Sequence, residues 1–134
     1  MNILIVEDSS RMRRTIRSLL AGAAHQLFEC EDGSGVLAAC QANRPDWVLM
    51  DIGLKEVDGI ALTGILKEAF PDAKVVIVTE YDDDRLRQRA KHAGAVAYVL
   101  KEDLFQLRLL LNTPPDAQLR SRDKETKPQP RKSS

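Results

Sequence analysis

Short continuous apolar runs alternate along the chain with stretches in which apolar positions recur every three or four residues. The runs are Ile3–Val6, Trp47–Met50, Val75–Val78 and Val96–Leu100. Runs of this length without polar alternation are expected of strands covered on both faces, as in a parallel sheet. Gln26 to Cys30 alternates instead and reads as an edge strand. Between the strands the period becomes helical. Met12, Ile16, Leu19, Leu20 and Ala23 predict a first amphipathic helix, with Arg11, Arg13, Arg14 and Arg17 on a solvated face. A second helix is expected from Ser34 to Asn43, stopped by Arg44-Pro45. A third begins near Asp58, burying Leu62, Ile65, Leu66 and Ala69 before Pro71. The fourth follows Asp82-Asp83-Asp84 and ends at Gly94. The fifth runs from about Glu102 to Leu111 and is apolar on all sides, so part of that surface should be exposed and free for a partner or a second copy.

Five βα units with right-handed crossovers give an α/β fold, a doubly wound five-stranded parallel sheet of flavodoxin-like type. Its expected strand order is 2-1-3-4-5, with the polar second strand at an edge. In such a sheet the residues just past the carboxyl ends of the strands share one crevice. Here those residues are Glu7 and Asp8, Asp51, Thr79, and Lys101. Like charges about 4 Å apart repel by roughly 4 kcal/mol at an effective dielectric near 20, so clustered carboxylates call for a cation. Oxygen donors without His or Cys suit Mg²⁺ better than zinc. Thr79 and Lys101 add a hydroxyl donor and a point charge suited to phosphoryl oxygens, and Asp51 is then a candidate nucleophile for phosphoryl transfer.

The formal net charge of zero conceals a division. Residues 113–134 carry six Lys/Arg and three Asp/Glu, which leaves 14 against 17 in residues 1–112. The second part, rich in Pro, Gln, Ser and charge, reads as a disordered tail or a linker to a further domain. The first part is mildly acidic, which argues against direct nucleic-acid binding. The N-terminal apolar run meets Glu7-Asp8 after four residues, too short for a signal peptide or a membrane span, so a cytoplasmic location is expected. Cys30 and Cys40 lack metal-ligand spacing and read as free thiols; His25 and His92 are isolated. Gly33-Ser34-Gly35-Val36-Leu37-Ala38 matches a dinucleotide-binding fingerprint, but Glu31-Asp32 would set carboxylates beside a pyrophosphate, and the match is read as coincidence.

Glu7-Asp8-Ser9, the segment from Asp51 through Asp58-Gly59-Ile60, Thr79 and Lys101 together resemble the receiver domain of bacterial two-component response regulators, over residues 1–112. The resemblance implies that Asp51 is the phosphoacceptor, charged by a sensor histidine kinase or a phosphotransfer protein. It implies Mg²⁺ held by Glu7, Asp8, Asp51 and the Gly53 carbonyl. It makes Lys101 a phosphoryl-binding lysine and Thr79 the switch hydroxyl, with Tyr98 as the aromatic that follows it. A downstream protein or a second receiver would then bind the surface of helix 4, strand 5 and helix 5. The phosphoryl group modifies the chain itself, so no enzymatic turnover is expected. Three positions depart from the family pattern: Lys55 and Glu102 replace prolines, and Glu80 replaces a small residue. Without proline, a cis bond after Lys101 would cost about 2.5–4 kcal/mol, so a trans bond is expected there.

Other readings remain open at this stage: a phosphate-independent module that keeps the fold, the receiver portion of a DNA-binding regulator, and an aspartate-nucleophile phosphatase of haloacid dehalogenase type. The last expects a second acid two residues after the first, where this chain has Gly53.

Overall fold

The computed structural model describes residues 1–21, 25–55 and 57–112. Five parallel strands, β1 (Asn2–Val6), β2 (Gln26–Cys30), β3 (Trp47–Met50), β4 (Lys74–Thr79) and β5 (Ala97–Leu100), form one sheet in the order β2-β1-β3-β4-β5. This is the order the polar β2 required, since β2 alone among the first four strands keeps exposed positions at Gln26 and Glu29. In β1, β3 and β4 the residues from Ile3 to Val6, Trp47 to Met50 and Val75 to Thr79 are all buried.

The connecting helices are α1 (Ser10–Leu20), α2 (Val36–Asn43), α3 (Gly59–Ala69) and α4 (Asp84–Ala93). Right-handed steps from β1 out to β2 and back to β3 put α1 and α2 on opposite faces of the sheet. On the α2 face, Leu4 and Val6, Val48 and Met50, and Val75 and Ile77 pack with Val36, Cys40, Ile60, Leu62, Leu66 and Ala90. Their alternate neighbours Ile3, Ile5, Leu49, Val76 and Val78 face the other way and are equally buried. These residues belong to the compact unit Met1–Leu104.

Polar caps set the helix starts. Ser9 Oγ accepts from Met12 N–H at 3.2 Å, Asp58 Oδ1 from Ile60 N–H at 2.8 Å and Asp83 Oδ1 from Leu86 N–H at 3.0 Å. Gly94 closes α4 at φ 108°, a left-handed conformation that glycine adopts without strain.

Several expectations need correction. The Gly33–Gly35 stretch is a 3₁₀ turn, so α2 starts at Val36 and not at Ser34. A 3₁₀ turn at Lys101–Asp103 likewise delays α5 to Phe105–Asn112, a helix of the chain's second unit. β5 begins at Ala97, one residue late. Ile65 and Ala69, expected in the core, are both exposed, Ile65 by 50%, because α3 buries the narrower stripe Ile60, Leu62, Thr63 and Leu66. Arg13 and Arg17 are not simply solvated: both bind Glu29 of β2. Within α5, Leu107 and Leu111 are buried while Phe105 and Leu109 are each 57% exposed, the surplus its sequence implied. Ala23, expected to extend α1, and the tail at 113–134 lie outside the described residues.

Candidate functional site

Register brings the strand ends together. Val6 is level with Met50 in the β1–β3 pair, and Asp51 N–H donates to the Val6 carbonyl at 3.1 Å, so Glu7 and Asp51 emerge side by side. Thr79 is level with Leu100 across β4 and β5, which delivers Lys101 to the same rim. The Glu7, Asp8 and Asp51 carboxylates each offer an oxygen within 4.8 Å of the others. Lys101 Nζ lies 2.9 Å from Glu7 Oε1 and 3.5 Å from Asp51 Oδ2.

Burial gives these charges their weight. Glu7 is 2% exposed and Asp51 6%. Burial raises the Glu7 carboxyl above its ordinary range and the Asp51 charge adds to this, against the opposing pull of Lys101 and of the Ser9 N–H, which donates to Oε2 at 3.1 Å. For Lys101, burial works against the ammonium, but the close Glu7 carboxylate and the Asp51 charge outweigh it and hold its pKa above the usual lysine value. Glu7 Oε1 has no well-aligned donor among the described residues, so it meets Lys101 as a charge pair. Three carboxylates with an under-satisfied buried oxygen and no His or Cys form a donor set compatible with Mg²⁺.

The backbone around Asp51 leaves little freedom. Gly59 N–H donates to the Ile52 carbonyl at 3.1 Å, and a Cβ at Gly59 would overlap the Asp51 carbonyl oxygen. Only glycine lets the start of α3 pass this close to β3. Gly53 bridges Asp58 and directs its N–H at Asp51 Oδ1, 3.3 Å away. The bond following Lys101 is trans, as are all those described, in accord with Glu102 in place of proline.

Thr79 is fully buried, and its Oγ1 accepts from Tyr81 N–H at 3.1 Å. Tyr98 Oη donates to the carbonyl of the same Tyr81 at 2.7 Å, and the Arg87 guanidinium covers the Tyr98 ring at 4.9 Å. Arg87 is itself anchored to Asp82 at 2.7 Å. Thr79 and Tyr98 are thus linked through one residue's main chain. Sequence reasoning found both ends of this link but neither Tyr81 nor Arg87, and only the Asp82/Arg87 charge spacing offered a signal for either. Glu80 is exposed. Of the remaining candidates, Cys40 is buried, Cys30 half-buried and both are free thiols; the His25 ring nitrogens are buried without a described partner, and His92 is exposed. No described helix is long and apolar enough to cross a membrane.

Residues 3–112 match the family model for the response regulator receiver domain. The chain is 34% identical to the DNA-binding transcriptional regulator NtrC of Salmonella typhimurium over 99 residues, 74% of this chain and 21% of that protein. Among solved structures it is similar to a CheY-like receiver domain protein of Methanospirillum hungatei (TM-score 0.78, 23% identity, 92% of this chain and 97% of that one). It is also similar to the Mn²⁺-bound form of response regulator Rcp1 (TM-score 0.70, 25% identity, 79% of this chain and 87% of that one). The chain spans about half or less of the length of the curated relatives it matches, from 21% to 53% among those most alike. On this match, and with the sheet order and acidic rim that accompany it, the chain belongs to the receiver domains of two-component response regulators.

Proposed function

We propose that the chain is a phosphorylation-controlled response regulator in which Asp51 accepts a phosphoryl group from the phosphohistidine of a sensor histidine kinase or phosphotransfer protein. The observation that carries this reading is the convergence of the Glu7, Asp8 and Asp51 oxygens within 4.8 Å, with Lys101 Nζ 3.5 Å from Asp51. An Asp51 carboxylate oxygen attacks phosphorus, the P–N bond to histidine breaks, and the imidazole leaves; water later cleaves the acyl phosphate to free phosphate and restores the carboxylate. The chain is therefore modified and regenerated, and it turns over no separate substrate.

Glu7, Asp8 and Asp51, with the Gly53 carbonyl, would hold Mg²⁺, a reading supported by the all-oxygen donor set and by the likeness to Mn²⁺-bound Rcp1. Held there, such an ion would supply positive charge to offset the acidic oxygens and the charge of an incoming phosphoryl group. Lys101 pairs with a further phosphoryl oxygen. Thr79 turns its hydroxyl to the phosphoryl group and gives up the Tyr81 N–H, which loosens the residue whose carbonyl seats Tyr98. The surface of α4 and β5 around Tyr98 then changes for a downstream protein or a second copy of the chain. The place of action is the cytoplasm, where phosphohistidine kinases and Mg²⁺ meet.

The experiment is intact-mass measurement of the chain after incubation with Mg²⁺ and acetyl phosphate. A gain of one phosphoryl group that vanishes in Asp51→Asn is expected. No adduct, either with acetyl phosphate or with a panel of kinases, would overturn the reading and favour a phosphate-independent module; steady hydrolysis of phosphomonoesters would favour a phosphatase. A second reading, the receiver portion of a DNA-binding regulator, is supported by the similarity to NtrC and by the share of the relatives' length that the chain spans. Sequencing the gene beyond codon 134 tests it.

A further inference from the structure

Arg13 joins the acidic pair to the edge of the sheet. Its Nη1 donates to the Glu7 carbonyl at 2.6 Å and its Nε to Glu29 Oε1 at 2.9 Å. The side chain is only 15% exposed, and that of Glu29 33%. Arg17 occupies the second Glu29 oxygen at 2.8 Å without contacting Glu7. Glu29 is level with Ile5 across the β1–β2 pair, and Glu7 N–H donates to the Cys30 carbonyl at 3.0 Å. Both main-chain groups of Glu7 are therefore fixed: its N–H by β2, its carbonyl by a guanidinium that β2 holds through Glu29.

This matters because the peptide that Arg13 grips leads directly into Asp8. A planar guanidinium satisfies two acceptors in one orientation, whereas an ammonium is a point donor on a flexible stem and does not impose that angle. We propose that Arg13, held by Glu29, is a positioning residue that sets the β1–α1 turn so that the Glu7 and Asp8 carboxylates converge on a divalent cation. The inference rests on the reading of Glu7, Asp8 and Asp51 as a cation site. Removing an outer partner that orients metal ligands typically weakens affinity 10–100-fold; Arg13 acts through a main-chain carbonyl, so a loss of about 5- to 10-fold is expected.

The test is titration of the full chain with Mn²⁺, following the free ion by electron paramagnetic resonance, with thermal melting of each variant alongside. Arg13→Lys keeps the charge and removes the fork, and its Kd should rise about 5- to 10-fold. Glu29→Gln, a second break in the same connection, should raise Kd by less. The double variant should bind no more weakly than Arg13→Lys alone, because both changes cut one connection. Arg17→Lys should bind as the wild type does. Wild-type affinity in Arg13→Lys, or an equal loss in Arg17→Lys, overturns the positioning role while leaving the cation site intact. A wild type that takes up no Mn²⁺ overturns the cation site and this role together. Should Arg13→Lys melt below the titration temperature, Glu29→Gln decides in its place: a raised Kd supports the role and an unchanged one refutes it.

Discussion

The two halves of the crevice rim are built differently. At the ends of β1 and β3, Glu7 and Asp51 are buried, their main chains are bonded to neighbouring strands, and Gly59 presses α3 against the Asp51 carbonyl. At the ends of β4 and β5 only Thr79 is deeply buried. The contacts beyond it, Tyr98 to Tyr81 and Arg87 to Asp82, lie on the surface, and Tyr81 is 51% exposed. The β1–β3 half is fixed by packing and main-chain hydrogen bonds. The β4–β5 half rests on side-chain contacts that are individually weak and cheap to rearrange.

Three measurements sharpen or break that contrast. The largest effect should come from Gly59→Ala, because the added methyl meets a main-chain oxygen that cannot swing away. A loss of about 3 kcal/mol, read as a fall in Tm on the order of 15 °C, is expected. A fall of only a degree or two would mean that the β1–β3 half yields as readily as the β4–β5 half.

The second concerns Cys40, packed behind the same half, whose thiol burial pushes up to about 11, with a smaller contribution from Cys30. Its folded-state pKa lies above the unfolded value, so the benefit of burying a neutral thiol is complete below pH 9 and is lost as pH rises through 11. The loss amounts to about 2–3 kcal/mol, and urea denaturation between pH 8 and 11 measures it. A Cys40→Ala variant should show a shallower alkaline decline; an identical slope would contradict the assignment. The smallest effect belongs to the β4–β5 half. Tyr98→Phe removes one partly solvated hydrogen bond and should cost about 0.5 kcal/mol by urea denaturation. A cost above about 2 kcal/mol would show that this half is as tightly built as the other.

Much of this was legible in the sequence. Strand identity and order followed from apolar continuity and from the polar second strand, and Ser9, Asp58, Asp83 and Gly94 took the capping roles their chemistry suits. The converging acids were legible because strand polarity alone brings them together. Helix faces were harder: Ile65 matched the helical period as well as Leu66 did, and only packing separates them. Arg13 was missed because its two partners come from Glu7 and Glu29, segments related by tertiary contact and by no local period. The late starts of α2 and α5 reflect 3₁₀ turns, whose i→i+3 bonds impose no apolar spacing of their own.

Thr79 and Tyr98 both address residue 81 through its peptide groups, the one at the N–H and the other at the carbonyl. The tyrosine side chain that residue 81 displays takes no part in either bond. Substitution at this position can therefore redraw the surface it displays while both main-chain bonds beneath stay as they were, so one residue carries a changeable exterior on a constant internal link.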